Sequence, residues 1–124
     1  NLFLQNLAKL VQQSQTCLTV CTGAALLAAT GVLDGKPATT NKRAFEWVRG
    51  TRPQVRWQQK ARWVSTEKFY TSSGVSAGMD MTLGFIADRW GLETAQEIAS
   101  RCEYLWQNDP DTDPFAHSAE FESA

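Results

Sequence analysis

The sequence predicts an α/β domain, and three observations carry that expectation. Short, apolar, β-branched runs alternate with stretches of helical periodicity. A strand read at 16–20 leads straight into a helix of small residues, the composition that lets a helix lie close on a sheet. The chain opens on a helix and shows only one clear strand-to-helix unit, whereas parallel sheets are built from several in a row. The inventory matches the second half of a doubly wound domain. The first half is then absent, cleaved away or supplied by another chain.

Each element has its own reason. Residues 2–14 set Phe3, Leu7, Leu10 and Val11 on one helical stripe, with Gln5, Lys9, Gln12 and Gln13 off it. Thr16 to Val20 is a buried strand, and 22–30 a small-residue helix closed by Gly31. Leu33-Asp34-Gly35 is a turn, and Pro37 to Thr40 a short strand. Residues 42–49 form a brief amphipathic helix carrying Phe45, Trp47 and Val48, which Gly50 and Pro53 break. Strands follow at 54–57, 61–65 and 69–71, the last ending at Ser72-Ser73-Gly74. Met79, Leu83, Ile86 and Trp90 then recur at helical spacing up to Gly91. Ala95, Ile98, Cys102 and Leu105 extend a final helix over 93–106. Residues 108–124 lack periodicity and read as an extended tail.

Composition narrows the function. The 124 residues make one domain or part of one, and 43% hydrophobic content supports a packed core. A net charge of −1 argues against a dedicated nucleic-acid binder. Apolar runs such as Ala24 to Ala29 fall far short of a membrane span, and no signal peptide is visible. Three cysteines, at 17, 21 and 102, fit neither a disulfide scaffold nor a metal knuckle, which points to a reducing, cytoplasmic setting. The charge is segregated. Residues 36–79 carry nine basic and two acidic side chains, and residues 80–124 two basic and ten acidic. The ordinary expectation is one basic and one acidic solvated face; a polyanion site on the basic segment is the alternative.

The sharpest local feature is Leu18-Thr19-Val20-Cys21-Thr22-Gly23-Ala24. Cys21 falls between a buried strand and the first turn of a helix, at the carboxyl edge of the sheet, where open α/β sheets bind ligands. Helix N–H groups there favour thiolate over thiol and hold developing negative charge. Gly23 permits close backbone approach, as in a nucleophile elbow. The alternative is a small buried thiol filling space. Cys17 and Cys102 are expected in the core. The lone histidine, His117, is expected on the surface of the tail, so no Cys-His pair is predicted. Gly74-Val75-Ser76-Ala77-Gly78 lacks the Lys-Ser/Thr ending of a phosphate loop. It is a tight turn with close packing, or a lining of the Cys21 pocket.

These residues carry a resemblance. Val20-Cys21-Thr22-Gly23-Ala24, then Gly31 to Lys36, then Ala38-Thr39-Thr40 resemble the nucleophile region of the ThiJ/PfpI superfamily. The closer likeness is to the branch holding isonitrile hydratases and the amidotransferase-like domains of some AraC-type regulators. Gly74 to Asp80, Thr94-Ala95-Gln96, Glu103-Tyr104 and Asp113-Pro114-Phe115 follow in that branch's order. The similarity spans residues 17 to 116. It implies a flavodoxin-like three-layer sandwich with a mostly parallel sheet, usually a homodimer. It also implies that residues 1–116 are the C-terminal portion of one domain, 117–124 being a tail. The missing βαβ portion would supply a carboxylate to the cysteine. Thr22 stands where other branches place a histidine, Asn41-Lys42 where this branch tends to have His-Trp, and Ser73 where it has glycine.

The function this resemblance implies is cysteine-dependent hydration of isonitriles to N-substituted formamides, through a Cys21 thioimidate. Cys21 and Thr22 are the expected catalytic residues, and Gly23, Asn41, Gly74 and Val75 line the substrate pocket, Val75 as an apolar wall. No cofactor or metal is required. The expected partners are a small-molecule substrate, a second copy of the chain and the missing N-terminal portion, not nucleic acid or membrane. The alternatives are a ligand- or redox-sensing domain of the same fold, and a glyoxalase-like or protein-repair hydrolase.

Overall fold

A computed structural model of the protein describes residues 1–116. The elements run α1 (Leu2–Gln13), β1 (Cys17–Val20), α2 (Gly23–Ala29), β2 (Pro37–Ala38), α3 (Phe45–Thr51), β3 (Arg56–Trp57), β4 (Trp63–Ser65), β5 (Phe69–Ser72), α4 (Val75–Trp90) and α5 (Leu92–Arg101). The expected His117 and the tail at 117–124 lie outside the described residues.

The main sheet has the order β1-β5-β4. β1 and β5 are parallel, with Thr19 opposite Thr71 and Val20 opposite Ser72, while β4 is antiparallel to β5. β2 and β3 make a separate parallel pair. Two of the three pairings are thus parallel, as expected.

Side chains alternate across a strand, so β5 sorts the layers. Phe69 joins Val11, Leu27, Ala28, Leu33, Ala38 and Val55 in a core built with α1 and α2. Tyr70 joins Trp63, Met81 and Phe85 against α4. A third cluster of Leu83, Ala95 and Ala99 fastens α5 to the outside of α4. Helix, sheet and helix therefore form three layers. Among the described residues the outer edge of β1 carries no strand, and Leu18 and Val20 are 38% and 41% exposed.

Several expectations shift. The α1 stripe is buried only where Val11 and Leu7 meet the core; Phe3 and Leu10 face outward. α4 begins at Val75, four residues before the first apolar residue of the expected stripe, because Gly74 serves as its N-cap. Met79 and Trp90 are exposed, and the sheet-facing side is Ala77, Gly78, Asp80, Met81 and Gly84. Leu83 and Ile86 of the expected stripe pack toward α5 instead, while the sheet side admits Met81 and Phe85 but comes too close for a side chain at Gly78 and Gly84.

Cys102 is exposed rather than in the core, and Cys17 is only partly buried against it. α5 ends at Arg101, short of 106, because Glu103 turns left-handed at φ 52° and reverses the chain. Leu105 then faces solvent. Thr39 and Thr40 are not strand residues, yet both are fully buried. Their polar groups are bonded: the Thr39 N–H donates to Thr71 Oγ1 (2.9 Å), and Thr40 Oγ1 to the Cys21 carbonyl (2.8 Å).

Candidate functional site

Cys21 occupies the residue between β1 and the turn into α2, with φ at +60°. A side chain with a Cβ rarely adopts that conformation, and such strain persists where surrounding bonds over-determine it. Here three do. The Cys21 N–H donates to the carbonyls of Ser72 (3.2 Å) and Ser73 (2.9 Å), and its carbonyl accepts from Thr40. The end of β5 and the Thr39-Thr40 segment thus clamp the bend.

Cys21 opens on a pocket of about 390 Å³. Asn41, Gly74 and Val75 line it with Cys21, so four of the six expected site residues come together. Val75 is 77% exposed and forms a wall, with Phe115 also lining the pocket. Thr22 and Gly23 are elsewhere. Thr22 makes no side-chain cap bond and lines a separate cavity with Leu26, Trp47 and Arg52. A Cβ on Gly23 would meet only Thr19 Cβ at 3.6 Å, an ordinary contact, so no tight approach demands glycine there.

The floor of the pocket holds charges that periodicity and spacing did not single out. Lys42, Arg62 and Asp113 line it, and Asp80 stands behind them; none is more than 5% exposed. Lys42 Nζ donates to the Ala61 carbonyl (2.7 Å), Thr39 Oγ1 (3.0 Å), the Thr40 carbonyl (3.2 Å) and Ser73 Oγ (3.2 Å), and lies 3.4 Å from Asp113 Oδ2. Arg62 bridges the two acids, donating from Nε to Asp80 Oδ2 (2.8 Å) and from Nη1 to Asp113 Oδ1 (3.3 Å). Buried charges survive only when paired and bonded in this way. Burial pushes the Lys42 ammonium below the usual lysine range and Arg62 adds to that, while Asp113 opposes it. Burial and a hydrogen bond to Asp80 raise the Tyr104 phenol. One sequence signal did point here: Lys42 departs from the apolar residue usual in the resembling branch.

The pairing also revises the charge reading. Lys42 and Arg62 come from the basic segment, and Asp80 and Asp113 from the acidic one. Part of the segregated charge is complementary within the fold rather than displayed on two solvated faces.

The sequence model of the DJ-1/PfpI family matches residues 1–88. The chain belongs to the DJ-1/PfpI family. It is similar to the isonitrile hydratase of Pseudomonas putida, 33% identical over 109 residues that cover 84% of this chain and 46% of that protein. It is 30% identical over 98 residues to the HTH-type transcriptional regulator CdhR of Pseudomonas aeruginosa, covering 79% of this chain and 29% of the regulator. The chain therefore spans about half the length or less of the curated relatives it matches. Among solved structures, Drosophila melanogaster DJ-1β superposes with a TM-score of 0.67 at 18% identity, covering 79% of this chain and 53% of that one. A ThiJ/PfpI family protein from Pseudomonas syringae gives 0.65 at 25%, covering 89% and 46%. The α/β architecture expected from the sequence is the fold of these DJ-1/PfpI neighbours. Among the described residues no helix is long and apolar enough to cross a membrane.

Proposed function

We propose that the chain carries the cysteine-bearing part of a DJ-1/PfpI enzyme that hydrates isonitriles. The observation that supports this best is Cys21, held at φ +60° at the carboxyl end of a parallel strand and opening on a pocket. The likeness to an isonitrile hydratase supplies the substrate class.

In this reading the Cys21 thiolate adds to the terminal carbon of the isonitrile, and that carbon takes a proton to give a thioimidate. Water adds across the C=N bond. Collapse of the adduct expels Cys21 and releases the N-substituted formamide. Thr22 contributes its backbone N–H beside the cysteine, since its side chain lies on another cavity. Gly23 forms the turn behind it, Asn41 offers its amide to the substrate, Gly74 leaves the mouth open and Val75 flanks the substrate chain. No metal or organic cofactor enters the reaction. The remaining portion of the domain supplies a carboxylate and a strand beside β1, and the active unit is a cytoplasmic homodimer.

The test is turnover of cyclohexyl isocyanide by the full-length protein. Formamide should accumulate with the wild type and fall at least ~10³-fold with Cys21→Ala, since removing a covalent nucleophile is among the most damaging single changes. An undiminished rate in that variant would overturn the reading. The likeness to a transcriptional regulator favours a second reading, a sensing domain. No turnover, together with ligand binding or oxygen uptake at Cys21 under mild peroxide, would select it.

A further inference from the structure

We propose that Ser73 and Lys42 form a proton relay serving the carbon that Cys21 attacks. The proposal rests on the covalent reading above and adds, from this chain's own residues, a proton donor beside the carboxylate expected from the missing portion.

Ser73 and Cys21 abut: the Cys21 N–H bonds the Ser73 carbonyl at 2.9 Å, and both residues line the same pocket. Ser73 is 2% exposed, and its Oγ accepts from Lys42 Nζ at 3.2 Å. Among the described residues its own hydroxyl proton is given to no acceptor. A buried O–H leaves its proton unbonded only at a penalty, so that proton is available to a group entering the pocket.

Behind Ser73, Lys42 Nζ has four oxygen acceptors for three N–H bonds, besides the Asp113 carboxylate. The carbonyls of Thr40 and Ala61 and the Thr39 hydroxyl fix the amine, and the Phe45 ring lies 5.8 Å from it. Lys42 is 2% exposed, and its proton is held less tightly than that of a solvated lysine. A buried ammonium hydrogen-bonded to a pocket hydroxyl is a proton reservoir one bond removed from the substrate.

The electron and proton count closes. Thiolate addition forms the S–C bond and leaves the electron pair on carbon. That pair takes the Ser73 Oγ proton as Lys42 Nζ reprotonates the hydroxyl, leaving a neutral amine. Water then adds its oxygen to carbon and one proton to nitrogen. As the C–S bond breaks and Cys21 departs as thiolate, the adduct's hydroxyl proton returns through Ser73 to Lys42. Ser73 is thereby a catalytic residue, and Lys42 acts through it.

The experiment compares two small reagents at Cys21 in the full-length protein, resolved by peptide mass because Cys102 is exposed and Cys17 is half-buried like Cys21. Iodoacetamide alkylates a thiolate with no proton needed. Acrylamide adds to give a carbanion that must be protonated. Ser73→Ala, which leaves Lys42 and Asp113 paired, should lower the acrylamide-to-iodoacetamide rate ratio about tenfold or more. Lys42→Arg, which keeps the charge but cannot titrate, should lower it similarly. A ratio unchanged in Ser73→Ala overturns the relay. A lowered ratio in a protein that does not turn over cyclohexyl isocyanide leaves the relay standing and removes the isonitrile reading instead.

Discussion

Gly78 in α4 lies against Val20 in β1 so closely that a Cβ on the glycine would fall 2.8 Å from both methyl carbons of the valine. The contact seats the start of α4 on the strand that leads into Cys21, next to the Val75 to Ala77 turn that lines the pocket. Gly78→Ala should therefore destabilise the protein by ~1–3 kcal/mol, the usual range for over-packing. Val20→Ala in the same chain should recover part of the loss. Urea midpoints for the four members of the cycle measure the coupling, and strictly additive effects would contradict it.

The left-handed turn at Cys21 gives an unusual stability order. At an ordinary position glycine is less stable than alanine by ~0.5–1 kcal/mol. At φ +60° an alanine bears a conformational penalty of ~1–2 kcal/mol that glycine does not. Cys21→Gly should therefore melt at or above the temperature of Cys21→Ala, although both lack the thiol. Calorimetry on the two variants decides it, and a Cys21→Gly protein that melts well below Cys21→Ala would mean the turn is relaxed in solution.

The buried pair of Lys42 and Asp113 should be costlier to halve than to replace as a pair. Lys42→Met leaves Asp113 with Arg62 and the Phe115 N–H, both on Oδ1, and should lose ~3 kcal/mol or more. Lys42→Met combined with Asp113→Leu should be closer to wild type than Lys42→Met by itself. Chemical denaturation of the three proteins reports this directly.

Alkaline stability should depend on Tyr70. Burial, then its hydrogen bond to Asp88, pushes the phenol from 10.0 to about 12. Between those values the unfolded chain has lost the proton and the folded chain keeps it. The Tyr70 contribution is thus complete below pH 10 and is lost as pH rises toward about 12. The difference in urea midpoint between wild type and Tyr70→Phe should shrink over that window, and a constant difference would refute the assignment.

Legibility in the sequence followed the kind of force involved. The strand-to-helix turn at Cys21 and the glycine-rich turn at Gly74 were readable because turns are set by local residue preferences. α4 was misplaced at its start because large apolar side chains mark a helix face only where the neighbour leaves room. Gly78 against Val20 and Gly84 against Trp63 are two points where the sheet comes too close for a side chain, while Met81 on the same face is buried against Trp63 and Tyr70. Lys42, Arg62, Asp80 and Asp113 were not legible as a unit, since the ion pairs join residues 18 to 71 positions apart. Local pattern carries no record of such pairing; only the opposite charge of the two segments hinted at it.

The bare flank of β1 has a practical meaning. Cys17 to Val20 contains no proline and no charged side chain, the devices by which natural edge strands discourage pairing with strangers. With Leu18 and Val20 uncovered beside it, that flank is a template for any extended chain that arrives first. These residues handled in isolation should be limited by solubility before they are limited by unfolding. The loss should steepen with concentration, because two molecules are needed for every false partnership.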